Sequence, residues 1–128
     1  MEKKNIRVAA FMGMTAIILG AFGAHALKKH LTIEELGTFE TGVKYQMYHA
    51  LFLLFLGLNS FLEEKAKKTI LLLVIFGVIF FSGSIFLLAT KTISGLNFKP
   101  IGIVTPIGGT LLIGAWSIVF WKYFQQKK

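Results

Sequence analysis

Charged residues divide the chain into blocks. Lys, Arg, Asp and Glu are absent from residues 8–27, 45–62, 69–90 and 101–121 and crowd into the short stretches between them. A helix needs about 20 predominantly apolar residues to cross the hydrocarbon core of a bilayer, and each run is close to that length. No segment alternates apolar and polar positions with period two, and open sheet edges cannot be left in lipid. The pattern predicts an all-α membrane protein. Four transmembrane helices, over about residues 6–27, 41–62, 69–90 and 101–124, form a bundle with short loops and a single domain over 1–128. In the first connection, Thr32-Ile33-Glu34-Glu35 has the capping-box pattern, in which Thr32 accepts from the amide three residues on and Glu35 reaches back. It predicts a short interfacial helix over 33–39. Residues 63–68 (EEKAKK) predict a tight charged turn, and 91–100 a loop containing Gly and Pro.

The first block also imitates a secretory signal. Lys3, Lys4 and Arg7 precede an apolar run, and Ala24-His25-Ala26 resembles a small-x-small cleavage site. The run is too long for a typical signal core, so it is read as the first membrane helix.

Composition agrees with the pattern. Of 128 residues, 55% are hydrophobic and only 16% charged, too few charges to cover a soluble surface. Mean hydropathy is +0.68. The net charge of +8 would suggest nucleic acid in a soluble protein. Here the lysines cluster at helix ends, where anionic lipid accounts for them, and no nucleic-acid partner is expected. The chain has no cysteine, which excludes disulfides, thiol catalysis and Cys-ligated metal.

Charge also orients the bundle. Nine basic residues (Lys3, Lys4, Arg7, Lys65, Lys67, Lys68, Lys122, Lys127, Lys128) fall on the side of the termini, against five (Lys28, Lys29, Lys44, Lys91, Lys99) on the other. By the positive-inside rule both termini are cytoplasmic, in a cell (plasma or inner) membrane. Trp121 and Tyr123 fit an aromatic belt at the inner interface, with Lys122 snorkelling to the headgroups.

Counting about 1.5 Å per residue from the helix ends gives depth. The polar and small residues then converge on the outer half of the bilayer. Helix 1 brings Gly20, Gly23, Ala24 and His25; helix 2 brings Tyr45, Gln46, Tyr48 and His49. The third brings Ser82, Gly83 and Ser84, and the fourth Thr105, Pro106, Gly108 and Gly109. Two readings follow. One is packing: Ala16, Gly20 and Ala24, spaced by four, make a small-residue face, Gly23 and Gly83 are further packing positions, the serines bond across helices, and Pro106 with Gly108 and Gly109 kinks helix 4. The other is a polar pocket open to the outside, built from Tyr45, Gln46, Tyr48, His49, Ser82, Ser84, Thr105 and His25.

His49 lies about 10 Å inside helix 2 by the same rise, so it should face protein. It is read as a neutral ring bonded to Ser82, Ser84 or a backbone carbonyl; sharper readings are proton handling, quinone or headgroup contact. His25 reads as an interfacial anchor. Glu40 and Lys44 are spaced to pair. No metal site is expected, because His25, His49 and Glu40 differ in depth and a site wants three or four ligands. No nucleophile–base pair, phosphate loop or paired carboxylate is present, so a third reading, a membrane enzyme using His49, has little to build on, and no cofactor is expected.

Four motifs also carry a resemblance: residues 20–27 (GAFGAHAL), 41–51 (TGVKYQMYHAL), 81–84 (FSGS) and 105–109 (TPIGG). Together, in this order, they resemble the small membrane proteins of domain of unknown function 423, to which the eukaryotic transmembrane protein 256 group looks related. The resemblance spans almost the whole chain. It implies a four-helix protein of bacterial inner membranes or related organelles and no activity. The chain departs from the pattern at Phe86, where a Tyr often stands; a mechanism needing that hydroxyl does not carry over. Two functions remain open. One is a non-enzymatic accessory or partner-binding module of a membrane complex or homo-oligomer. The other is a binder or transporter of a small solute, lipid or quinone at the outer-half cluster.

Overall fold

The computed structural model describes residues 2–95 and 99–125. The chain runs α1 (Glu2–His25), a 3-10 turn (Leu27–Lys29), α2 (Ile33–Leu58), α3 (Glu64–Ala89), a one-turn α4 (Lys91–Ser94), a second 3-10 turn (Lys99–Ile103) and α5 (Val104–Gln125). No strand occurs among the described residues. The basic tail at Lys127 and Lys128 lies outside them.

Three stretches are long and apolar enough to cross a membrane: Lys3–Lys29, Glu64–Ala89 and Pro100–Gln125. The expected second helix has different bounds. Its capping box forms as predicted, with Thr32 Oγ1 accepting from Glu35 N at 3.0 Å and Thr32 N donating to Glu35 Oε1 at 3.0 Å. The helix it starts does not stop at residue 39, however. The interfacial segment and the second apolar run are one continuous α2, so Glu34, Glu35, Glu40 and Lys44 lie within its first twelve residues.

α3 begins at Glu64 rather than near 69, so the charged turn is shorter than expected. Asn59 closes that turn: its Oδ1 accepts from Phe61 N at 2.9 Å and Leu62 N at 2.8 Å, and its Nδ2 donates to Tyr123 Oη at 2.7 Å. Buried Lys67 donates its ammonium to the Asn59 carbonyl. The two amides ahead of α3 are thus satisfied, and Glu64 in its first turn complements the helix dipole.

Packing is sequential: α1 lies along α2, α2 along α3, and α3 along α5. The main core gathers Ala9 and Met12 of α1, Leu53 and Leu56 of α2, Ile70 and Val74 of α3, and Leu112 and Ala115 of α5. A second cluster at the other end joins Leu27, Leu31, Phe39 and Ala89.

The small-residue face of α1 turns out differently from the four-residue series. Ala16 is fully buried and a Cβ on Gly20 would sit 3.4 Å from Val43, but Ala24 is exposed. Gly23, also expected among the packing positions, makes the contact instead, with the Phe39 ring 2.9 Å from where a Cβ would stand. The reason is helical pitch: at 3.6 residues per turn, a step of eight drifts about 80° off the face and a step of seven only about 20°. A Cβ on Gly83 would meet nothing within 4 Å, so Gly83 is not a packing contact. Pro106 does not interrupt α5. It lies in the first turn, where its missing N–H has no helical acceptor to lose, and the helix continues to Gln125.

The tightest approach is between α3 and α5. A Cβ on Gly108 would lie 2.3 Å from Phe81 N and 2.8 Å from both Gly77 O and Phe80 C. Opposite it, a Cβ on Gly77 would lie 2.6 Å from Leu112 Cδ2. The two backbones are therefore in direct contact at this level.

Candidate functional site

The buried stripe of α2 follows a three–four spacing through Phe39, Gly42, Gln46, His49, Leu53 and Leu56. Two of these six positions are polar. In lipid a buried polar group without a partner costs several kcal/mol, so each must find one inside the protein. Gln46 turns to α1, its Nε2 donating to Met12 O at 3.0 Å and Thr15 Oγ1 at 2.7 Å. At Gly42 the absent side chain exposes the carbonyl, which accepts from Ser82 Oγ of α3 at 2.8 Å. Phe86 covers the same hollow: a Cβ on Gly42 would meet its ring at 2.6 Å. Residue 86 is thus an apolar packing residue.

His49 turns to α5. Its Nδ1–H donates to the Tyr45 carbonyl at 2.7 Å, and its Nε2 accepts from the Trp116 indole Nε1–H at 3.0 Å. Only the Nδ1–H tautomer satisfies both bonds. The imidazole is 4% exposed, faces the interior as its depth required, and has both nitrogens engaged. Its partners are a backbone carbonyl and Trp116, not Ser82 or Ser84. Ser84 instead bonds Thr105 of α5 and donates to Phe81 O at 3.0 Å.

Beside His49 is a cleft of about 300 Å³, lined by Tyr45, His49, Phe81, Gly109, Leu112, Ile113 and Trp116. Its walls are aromatic. Tyr45 and Phe81 have ring centroids 4.9 Å apart, and Trp116 stacks on Phe52 at 4.2 Å. Of the residues expected in a pocket, Tyr45 and His49 line this cleft. Gln46, Ser82, Ser84 and Thr105 are turned into interhelical bonds, and Tyr48 and His25 are exposed elsewhere. Glu40 and Lys44 are both exposed, and the ion pair formed among the described residues is Lys122 Nζ to Glu63 Oε1, 3.3 Å, at the opposite end. Among the described residues no three His, Asp or Glu side chains gather to hold a metal.

Sequence reasoning missed Trp116, Thr15 and Gly77. Trp116 sits in the middle of an apolar run, where an indole N–H needs a buried acceptor. That mismatch was a usable signal pointing back to His49. Thr15 and Gly77 carried no such mark, because small residues inside membrane helices are common.

Similarity to other proteins fits this architecture. The family model described as "Protein of unknown function (DUF423)" matches residues 19–109. A UPF0382 membrane protein of Staphylococcus saprophyticus is 40% identical over 117 residues, covering 91% of this chain and 93% of that protein. One from Haemophilus influenzae is 31% identical over 127 residues, covering 99% and 98%. The UPF0382 inner membrane protein YgdD of Escherichia coli is 33% identical over 114 residues, covering 87% and 82%. No solved structure matches the chain.

Proposed function

The chain belongs to the DUF423 family of membrane proteins, and from that premise we propose that it is a non-enzymatic module of the cell membrane that docks a partner's membrane helix. One observation carries this reading. Between α1 and α2 runs an apolar groove of about 260 Å³ whose lining includes Ala9, Ala10, Gly13 and Ala50. Small residues on a lipid-facing groove let another backbone approach closely, and close packing is what drives helix association where lipid is as apolar as Leu. Gln46, His49, Ser82 and Ser84 support it from the other side, since they are engaged in bonds within the bundle.

Ala10 is exposed, so Ala10→Phe fills the groove without disturbing the fold. Gently solubilised wild-type protein should co-purify with one larger membrane protein or with a second copy in fixed ratio. Ala10→Phe should lose that companion while melting as wild type does. A wild-type chain that emerges monomeric from native membranes would count against docking.

In this reading α2 crosses the bilayer too, giving four spans with both termini cytoplasmic. α2 lies between α1 and α3, both apolar enough to span, and short connections make neighbours antiparallel. The absence of cysteine allows a direct test. Glu34→Cys should label with an impermeant thiol reagent in intact cells, whereas Glu64→Cys and Lys128→Cys should label only after lysis. Labelling of Lys128→Cys in intact cells would reverse the orientation.

The cleft beside His49 favours a second reading, a binder of a flat apolar ligand such as a quinone. Tyr45, Phe81 and Trp116 offer aromatic faces around a space of about 300 Å³. Native mass spectrometry of the wild type would then show a retained small molecule that His49→Leu releases.

A further inference from the structure

At the end of the molecule that carries the α2–α3 turn, α3 and α5 diverge around a recess of about 530 Å³. Its rim is charged and hydroxylated: Lys65 and Thr69 come from α3, Ser117, Trp121 and Lys122 from α5, and Glu63 from the turn. Two ammoniums, Lys65 and Lys122, face the single carboxylate of Glu63, which Lys122 engages at 3.3 Å, so the recess keeps a net positive charge. The Ser117 hydroxyl donates to Ile113 O at 2.7 Å and that of Thr69 to Lys65 O at 3.2 Å, so both oxygens keep lone pairs and neither brings a negative charge.

The recess does not end there. Thr69 also lines the start of a second hollow of about 320 Å³, bounded by Leu72, Leu73, Phe76, Phe80 and Leu111 and almost wholly apolar. Residues 65, 69, 72, 73, 76 and 80 share one face of α3. From Thr69 to Phe80 that face extends about 16 Å, or about half of the ~30 Å hydrocarbon core. A basic recess at the level of Trp121 and Lys122 thus opens directly into an apolar furrow one leaflet deep.

We infer that this continuous α3–α5 seam is a binding site for an anionic glycerophospholipid. The phosphate sits against Lys65 and Lys122, and one acyl chain lies along Leu72, Phe76 and Phe80. The charge complementarity selects the headgroup, as basic pockets between membrane helices do elsewhere. The furrow selects a lipid over a soluble phosphate ester, because only a lipid covers both halves. The site is separate from the α1–α2 groove and the His49 cleft, so either function proposed above can fail without affecting it.

The test is competition in mild detergent. The full chain is mixed with equal amounts of phosphatidylglycerol and phosphatidylcholine carrying identical acyl chains, and native mass spectrometry reads the adducts. Wild-type protein should retain phosphatidylglycerol in excess by about fivefold or more, the scale of one lysine near an anionic surface. Lys65→Gln should cut the excess severalfold, and Lys65→Gln with Lys122→Gln should bring the ratio to about one. Lys28→Gln, at the far end of the bundle, should leave it unchanged. Lys65 is exposed and the Lys122–Glu63 pair is a surface pair of small worth, so the variants should melt as wild type does. Equal retention of both lipids by the wild type would overturn the assignment, as would a double variant with undiminished preference. Full displacement of the lipid by glycerol 3-phosphate at equal concentration would also overturn it, by showing that the headgroup alone suffices.

Discussion

Gly108→Ala, a change of one methyl group, is expected to lower the stability of the detergent-solubilised protein more than any other single Gly→Ala substitution in the chain. The added Cβ would lie 2.3 Å from Phe81 N and 2.8 Å from Gly77 O and Phe80 C. These are backbone atoms of α3. A side chain could rotate away, but a helix backbone must move as a body, and moving it separates the whole α3–α5 seam. Overpacking of this kind costs about 1–3 kcal/mol, and more where nothing can yield. The contrast lies within the same motif region. Gly109→Ala would meet Phe81 at 3.6 Å, an ordinary contact, and Gly83→Ala would meet nothing. Both should be neutral or slightly stabilising, since Ala gains up to about 1 kcal/mol over Gly in a helix. Thermal unfolding followed by size exclusion compares the three. Equal melting of the Gly108 and Gly109 variants would show that α3 and α5 are not in backbone contact.

His49→Leu should give the second large effect. It removes the acceptor of the Trp116 indole N–H. An unsatisfied buried donor costs about 1–3 kcal/mol. The Tyr45 carbonyl loses only its second partner, since it is also an acceptor within α2. Trp116→Phe in the His49→Leu background removes the orphaned donor, so the double variant should be more stable than the sum of the two single changes predicts. A double-mutant cycle measures this, and a coupling near zero would mean that the His49–Trp116 bond does not form in the membrane. If the cleft also holds a ligand, His49→Leu should release it, whereas Trp116→Phe alone should weaken it less because the ring face remains.

The site was partly legible. The depth argument placed His49 inside the protein, because apolar runs set where the bilayer lies and burial of a polar ring follows from that alone. Its partner was not legible. Which residue of α5 meets His49 depends on helix rotation and on how closely α3 and α5 approach, and both are set by Gly77 and Gly108 in contact across the seam. Similarly, Ser82 was expected to seek a partner across helices, and it does, but at Gly42, where a missing side chain bares a carbonyl. The capping box at Thr32 was readable because it is local in sequence; the length of the helix it opens was not, because nothing between residues 39 and 41 stops it.

The amino-acid order by itself determined that this is a helical membrane protein, where its apolar runs begin and end, and that its polar residues must find partners inside. Those properties follow from the transfer of each residue between water and lipid, which depends on residue type and position alone. Tertiary structure decided which partners they found. The pairing of His49 with Trp116, the choice of Gly23 over Ala24 on the α1 face, and the meeting of Lys65 and Lys122 above one furrow all depend on helix rotation. Rotation is fixed by the sum of many weak side-chain contacts between helices, to which residues far apart in the chain contribute together.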